Sequence, residues 1–162
     1  MSKHNQAHAL ESPLTIPSGN ERLIAALCEH SVRFLIIGGI AVRHYAASRV
    51  ARDLDLLIEP EPSNAKKTLQ ALARLSLFLT ATPDRLTLSA QQSHIYTAEF
   101  CADIVTPRPE VDFEKEWQAA SLARIRHHRV RVISRAGLIR MKTATGRSKD
   151  EADIELLISQ EP

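Results

Sequence analysis

The sequence predicts an α/β (α+β) chain, a mixed β-sheet flanked by helices, and three observations carry that prediction. Two apolar runs, Arg33 to Ile37 (RFLII) and Asp53 to Ile58 (DLDLLI), have strand length and are rich in branched residues. Stretches with apolar residues at three- and four-residue spacing alternate with them. The order is helix, strand, helix, strand, helix, hairpin-like strands and then helices, which gives a mixed sheet and not a regular doubly wound one.

Each element has its own local signal. Residues 1–17 carry Pro13 and Pro17 without periodicity and read as a flexible lead-in, leaving 18–162 as a single domain. Ser18 to Glu21 forms a capping box, followed by Leu23, Ile24, Leu27 and Cys28 at helical spacing to about His30. The strand RFLII ends in Gly38-Gly39, and Ile40 to Ala47 is helical. The strand DLDLLI is stopped by Glu-Pro-Glu-Pro, and Ser63 caps a helix over 64–77. Arg85 to Ser89 and Ile95 to Val105 read as strands around a polar turn, AQQS. Asp112 caps a helix through about Leu122, and Arg129 to Ile133 (RVRVI) alternates like an edge strand. Helices over 134–145 and 149–159 close the chain.

Composition excludes several functions. Aromatics make up 4%, too few for a base-stacking platform. The longest apolar run, Phe34 to Val42, is half a membrane span, and the polar start has no apolar stretch of a secretory signal. A cytoplasmic protein is expected, with Cys28 and Cys101 as buried free thiols. No serine sits in a nucleophile elbow. The net charge of +2 hides an asymmetry: Trp117 to Lys149 holds nine Lys and Arg and no acid, so the rest carries −7. Such a segment suits phosphates of a nucleotide or of RNA, or it is a solvated basic face.

The chemistry concentrates in Arg52-Asp53-Leu54-Asp55. On a strand, Asp53 and Asp55 point to one face, about 6 to 7 Å apart. Two carboxylates there call for a hard divalent cation, magnesium or manganese, unless they are solvated or paired with Arg49 and Arg52. Gly38-Gly39, between a strand and a helix, either lets backbone N–H groups face an anion or makes a plain tight turn. Asp103, alone in the apolar CADIVT, joins the pair if its strand lies beside DLDLLI; otherwise it ends an exposed strand. Three carboxylates can hold two metal ions, and one can take a proton.

Strand, Gly-Gly, helix, D-x-D and a later strand acid together resemble the nucleotidyltransferase superfamily with the DNA polymerase β-like fold. The likeness is strongest to its small prokaryotic members, minimal nucleotidyltransferases and abortive-infection toxin-type transferases. Residues 34–58 (FLIIGGIAVRHYAASRVARDLDLLI) and 138–154 (LIRMKTATGRSKDEADI) carry it. The resemblance implies that Gly38 and Gly39 cradle phosphates and that Asp53, Asp55 and Asp103 hold Mg2+ or Mn2+, Asp103 doubling as general base. It further implies that Lys142 meets the triphosphate, Arg49 and Arg52 supply basic groups near the nucleotide, and Arg147, Lys149, Asp150 and Asp153 shape the site or its acceptor side. Four positions depart from the pattern: Gly39 is often serine in such proteins, Ala51 threonine, and Tyr45-Ala46 a histidine-glycine pair. The implied activity moves a nucleoside monophosphate from a nucleoside triphosphate to a hydroxyl on RNA, such as a tRNA end, or on a protein, with a toxin–antitoxin role by resemblance. Two alternatives are a silent relative that binds nucleotide or a partner protein, and a basic RNA-binding module; the partners to expect also include a partner protein or a second copy of the chain as a homodimer.

Overall fold

Branched apolar residues fix the centre of the sheet. The strands β2 (Phe34–Ile37) and β3 (Leu54–Ile58) pair antiparallel, and all their residues but Asp55 are buried. The computed structural model describes residues 11–17, 19–79 and 82–160. Helix α1 (Asn20–Glu29) precedes β2, α2 (Gly38–Tyr45) follows it, and α3 (Pro62–Arg74) follows β3. Next come β4 (Gln92–Tyr96), β5 (Cys101–Val105), α4 (Phe113–Ala119), β6 (Ser121–Ile125) and β7 (His128–Val132). Helices α5 (Arg135–Thr145) and α6 (Ser148–Ser159) end the described chain. With the two-residue β1 (Ser12–Pro13), the seven strands run in the order β1-β6-β7-β2-β3-β5-β4. The sheet is mixed, as expected: β3 is antiparallel to β2 and parallel to β5.

Buried amides tie the helices to this frame. Asn20 Nδ2 donates to the Cys101 carbonyl at 2.9 Å, and Cys101 N–H donates to Asn20 Oδ1 at 3.0 Å, pinning α1 to the start of β5. Asn64 does the same for α3, donating to the carbonyls of Arg33 and Glu59 at 3.0 Å each and accepting from Arg33 N–H. A fully buried Asn is tolerated because its amide is spent on backbone groups that would otherwise be unpaired.

Several expectations are corrected. Residues 11–17, read as part of a flexible lead-in, pair β1 with β6 and bury Leu14 and Ile16. Ser18, the first residue of the expected capping box, lies outside the described residues, and α1 starts after Gly19 without a side-chain cap. Helix α3 starts at Pro62 after Glu61, not with Ser63 as its cap. Arg85–Thr87 is a single 3-10 turn, not a strand. The hairpin turns at Thr97 to Phe100, because Gln92 to Tyr96 is itself the outer strand paired to β5. Asp112 caps α4 as expected, accepting from Lys115 N–H, yet the helix ends at Ala119. Ser121 and Leu122, read as the end of that helix, open a strand, Ser121 to Ile125, with Ala123 and Ile125 inward, and it covers β7. The latter is therefore interior, between β6 and β2. Ser134 caps α5, accepting from Gly137 N–H.

Candidate functional site

The parallel pairing of β3 and β5 sets Asp55 directly opposite Asp103. Asp53 lies just ahead of β3 and is exposed. The three acids share one open cleft of about 500 Å³ with Gly38, at the start of α2, and with Lys142, Lys149 and Asp150 from the last two helices and Arg147 from the turn between them. The acid convergence left open by the sequence is thus present: three carboxylates on one wall, cationic side chains on the other.

Gly38 is required by this geometry twice over. Its φ is +67°, and a Cβ there would stand 2.0 Å from Asp55 Oδ2. Only glycine lets the turn pass this close to the carboxylate. Gly39 has no such constraint, since a Cβ would meet Ala51 Cβ at 3.3 Å.

Electrostatics mark Asp55. Burial pushes its carboxyl up to about 6, and the charges of Asp103 and Asp53 push the same way, against the smaller pull of Lys142 and Lys149. The cleft thus has a local excess of negative charge around a desolvated acid. Asp103 accepts from His94, with Nδ1 at 2.5 Å from Oδ1, and more weakly from Gln92 and Tyr96 at 3.4 Å. The Cys101 thiol donates to Asp53 at 2.9 Å, and this bond, with burial, pushes the thiol up to about 11. Both cysteines are free, as expected, but half-buried rather than buried.

Among the described residues, no three His, Cys, Asp or Glu side chains stand together in the arrangement of a formed metal centre. The donor set nevertheless fits a hard divalent cation: oxygen ligands from adjacent strands, and an acid whose ionisation needs a counter-charge.

Among the described residues, the remaining site residues divide into those with an ion-pair partner and those without. Lys142 is buried and donates to Asp150 Oδ1 at 3.0 Å and Asp153 Oδ2 at 2.9 Å. Arg49 donates to Asp153 at 2.6 Å, and Arg147 to Asp150 at 2.9 Å. Burial alone would raise the Asp150 carboxyl, but hydrogen bonds from Thr145, Lys142 and Arg147 outweigh it and hold it at about 2. Asp150 and Asp153 are thus the buried anions of a network joining α5 and α6 to the loop between α2 and β3, where Arg49 lies. Lys149 and Arg52 are exposed; only Lys149 lines the cleft. Arg108, which sequence reasoning passed over, lines it as well. So does Gln92, while His94 and Tyr96 reach Asp103 from the neighbouring strand β4.

The acid-free segment is less available than its composition suggests. Arg126 and Arg129 pair with Glu21 and Glu11, Arg140 pairs with Glu116, and Arg131 stacks on Trp117. The fold brings counter-charges from elsewhere, leaving Lys142, Arg147 and Lys149 as that segment's cations in the cleft.

Comparison with solved structures places the fold. The lincosamide antibiotic adenylyltransferase LnuA, in its lincomycin-bound structure, superposes with a TM-score of 0.61 at 16% identity, covering 91% of this chain and 100% of that one. The antibiotic-resistance factor ANT(2'')-Ia gives 0.61 at 16% identity over 87% of this chain and 81% of its own. An antigenic nucleotidyltransferase-like protein from Paracoccidioides brasiliensis gives 0.52 at 16% identity over 90% and 77%. No family profile matches the sequence, and neither does any curated protein.

Proposed function

The chain has the fold of nucleotidyltransferases, and we propose that it is one. In this reading it transfers a nucleoside monophosphate from a nucleoside triphosphate to a hydroxyl acceptor. The observation that carries the reading is the direct pairing of Asp55 with Asp103, in one cleft with Asp53, Gly38 and the cations of α5 and α6. Nucleotidyl transfer needs positioning and charge neutralisation more than covalent catalysis, and this cleft is built of little else.

Asp53, Asp55 and Asp103 would hold divalent metal, which, when bound, supplies positive charge to the phosphate oxygens. A bond forms between the acceptor oxygen and the α-phosphorus as the bond to the β-phosphate oxygen breaks, and pyrophosphate leaves. The acceptor proton passes to the Asp103 carboxylate, which His94 orients from β4. Arg108, Arg147 and Lys149 face the space where the departing charge collects, and the bare backbone of Gly38 allows close approach of the phosphates. Lys142 acts from beneath, holding Asp150 and Asp153 and through them Arg147 and Arg49.

A small hydroxylated acceptor is favoured over RNA or protein. Related folds are solved with lincomycin and with adenylyl-2''-tobramycin, and the basic β6–β7 hairpin that would meet RNA here has Arg126 of its turn and Arg129 of β7 ion-paired. The test is transfer of label from α-labelled, against γ-labelled, nucleoside triphosphate to pools of small hydroxylated compounds, RNA and protein. The expected product carries the α-label alone, in the small-molecule pool, and disappears in Asp103→Asn. Transfer of the γ-label, or equal transfer by Asp103→Asn, contradicts the reading.

A further inference from the structure

The sheet face that carries the acids turns apolar one step farther on. Side chains alternate along a strand, so Leu57 follows Asp55 and Val105 follows Asp103 on the same face, about 6 to 7 Å beyond. Leu57 pairs with Val105 as Asp55 pairs with Asp103. Over this step lies a second cavity of about 450 Å³, which shares Val105, Arg108 and Met141 with the acid cleft. Val111 and Ala144 add to its apolar walls. Val105, Val111 and Met141 are half-buried and Ala144 is exposed, so their apolar surface is open to a ligand. Among the described residues none from β2 or α2 lines the cavity, which places it away from the phosphate turn at Gly38.

The polar groups of the inner wall are already taken. The Thr106 hydroxyl accepts from Gln91 N–H at 2.7 Å and donates to the Leu88 carbonyl at 2.6 Å. Glu116 accepts from Arg140 at 2.6 Å, and its second oxygen is buried against Gly137, out of reach of the cavity. At the rim, exposed Arg108 and Glu110 offset each other, so the cavity lacks the surplus of cations that suits phosphates. A nucleobase would leave its polar edge unpaired against such walls, whereas an apolar group would not. We propose that this cavity binds an apolar group of the hydroxyl acceptor, which makes the acceptor an amphiphilic alcohol. Assignment to the acceptor rests on the transfer reading, in which the accepting oxygen stands at Asp103, one strand step from Val105. The preference of the cavity for an apolar group does not.

The probe is cinnamyl alcohol, an apolar ring carrying a hydroxyl on a short chain, titrated by ligand-observed NMR beside glycerol, an alcohol without an apolar group. Wild type is expected to bind cinnamyl alcohol and not glycerol. Val111→Asp puts a charge in the apolar wall and Ala144→Trp fills the mouth, and each is expected to weaken binding about tenfold or more. Thr143→Trp adds the same bulk to α5 outside the cavity, so it retains binding and controls for helix damage, as does an unchanged far-ultraviolet circular dichroism spectrum. No binding of cinnamyl alcohol, equal binding of glycerol, or affinity in Val111→Asp and Ala144→Trp no lower than in Thr143→Trp overturns the proposal. ATP, GTP, CTP and UTP with magnesium are then added as competitors. Cinnamyl alcohol retained beside a bound triphosphate supports the acceptor assignment; its displacement gives the cavity to the nucleobase and overturns that assignment. Asp53→Ala/Asp55→Ala keeps cinnamyl alcohol binding, so failure of the transfer reading is distinguishable from failure of this one.

Discussion

Gly38 and Gly39 look alike in the sequence, and the structure separates them. Alanine at 38 meets both a left-handed backbone, costing about 1–2 kcal/mol, and the Asp55 carboxylate. Alanine at 39 meets Ala51 Cβ at 3.3 Å, a tight contact that a shift of a few tenths of an ångström relieves, and the Arg49 guanidinium at ordinary contact distance. Gly38→Ala is therefore expected to lower Tm and to abolish nucleotide binding, with Gly39→Ala near wild type in both; thermal melts and titrations check the order. The sequence marked both residues and all three acids, because Gly-Gly between strand and helix and D-x-D on a strand are local patterns. It did not mark His94, Gln92 or Cys101 as neighbours of the acids, since those contacts depend on which strand lies beside which and in what register. The close approach of Glu116 to Gly137 was hidden for the same reason, since it joins two different helices.

Among elements, the joint of α5, α6 and the loop between α2 and β3 carries the most buried charge among the described residues. Lys142 lies between Asp150 and Asp153, with Arg49 and Arg147 outside them. Lys142→Ala leaves two buried carboxylates short of a partner and is expected to destabilise by about 3–5 kcal/mol. Denaturant unfolding measures that loss, and a change below about 1 kcal/mol contradicts the joint's role. The spacing of Lys142, Asp150 and Asp153 was legible as a motif, but their mutual neutralisation was not, because it needs the turn at Gly146 that folds α6 back on α5. The first two residues of strand β6, Ser121 and Leu122, read as helix for a different reason. EWQAASLA has no helix breaker, so helical continuation and the alternation of Ser121 to Ile125 compete locally, and pairing with β7 decides.

For the whole molecule, two acids set opposite pH limits. The Asp55 carboxyl is raised from 3.8 to about 6, so the folded state holds its proton more tightly than the unfolded chain. The stability this contributes is present below about pH 4 and lost as pH rises through 6. Asp150 is depressed to about 2, so its contribution is present above about pH 4 and lost as pH falls through 2. Without divalent metal, Asp55→Asn is accordingly expected to be more stable than wild type at pH 7.5, by on the order of 1–3 kcal/mol, with the gap closing below pH 4. Melting curves across that range check it; a gap independent of pH contradicts the account of the cleft's charge.

That same excess charge is what a metal-bound nucleotide would neutralise, which makes binding the most direct test of the cleft. ATP, GTP, CTP and UTP are titrated calorimetrically with and without magnesium into wild type and Asp53→Ala/Asp55→Ala. Magnesium-dependent binding of at least one nucleotide to wild type, absent in the double variant, is the expected result. No nucleotide binding to wild type, or binding that the double variant keeps, contradicts the assignment of this cleft to nucleotidyl transfer.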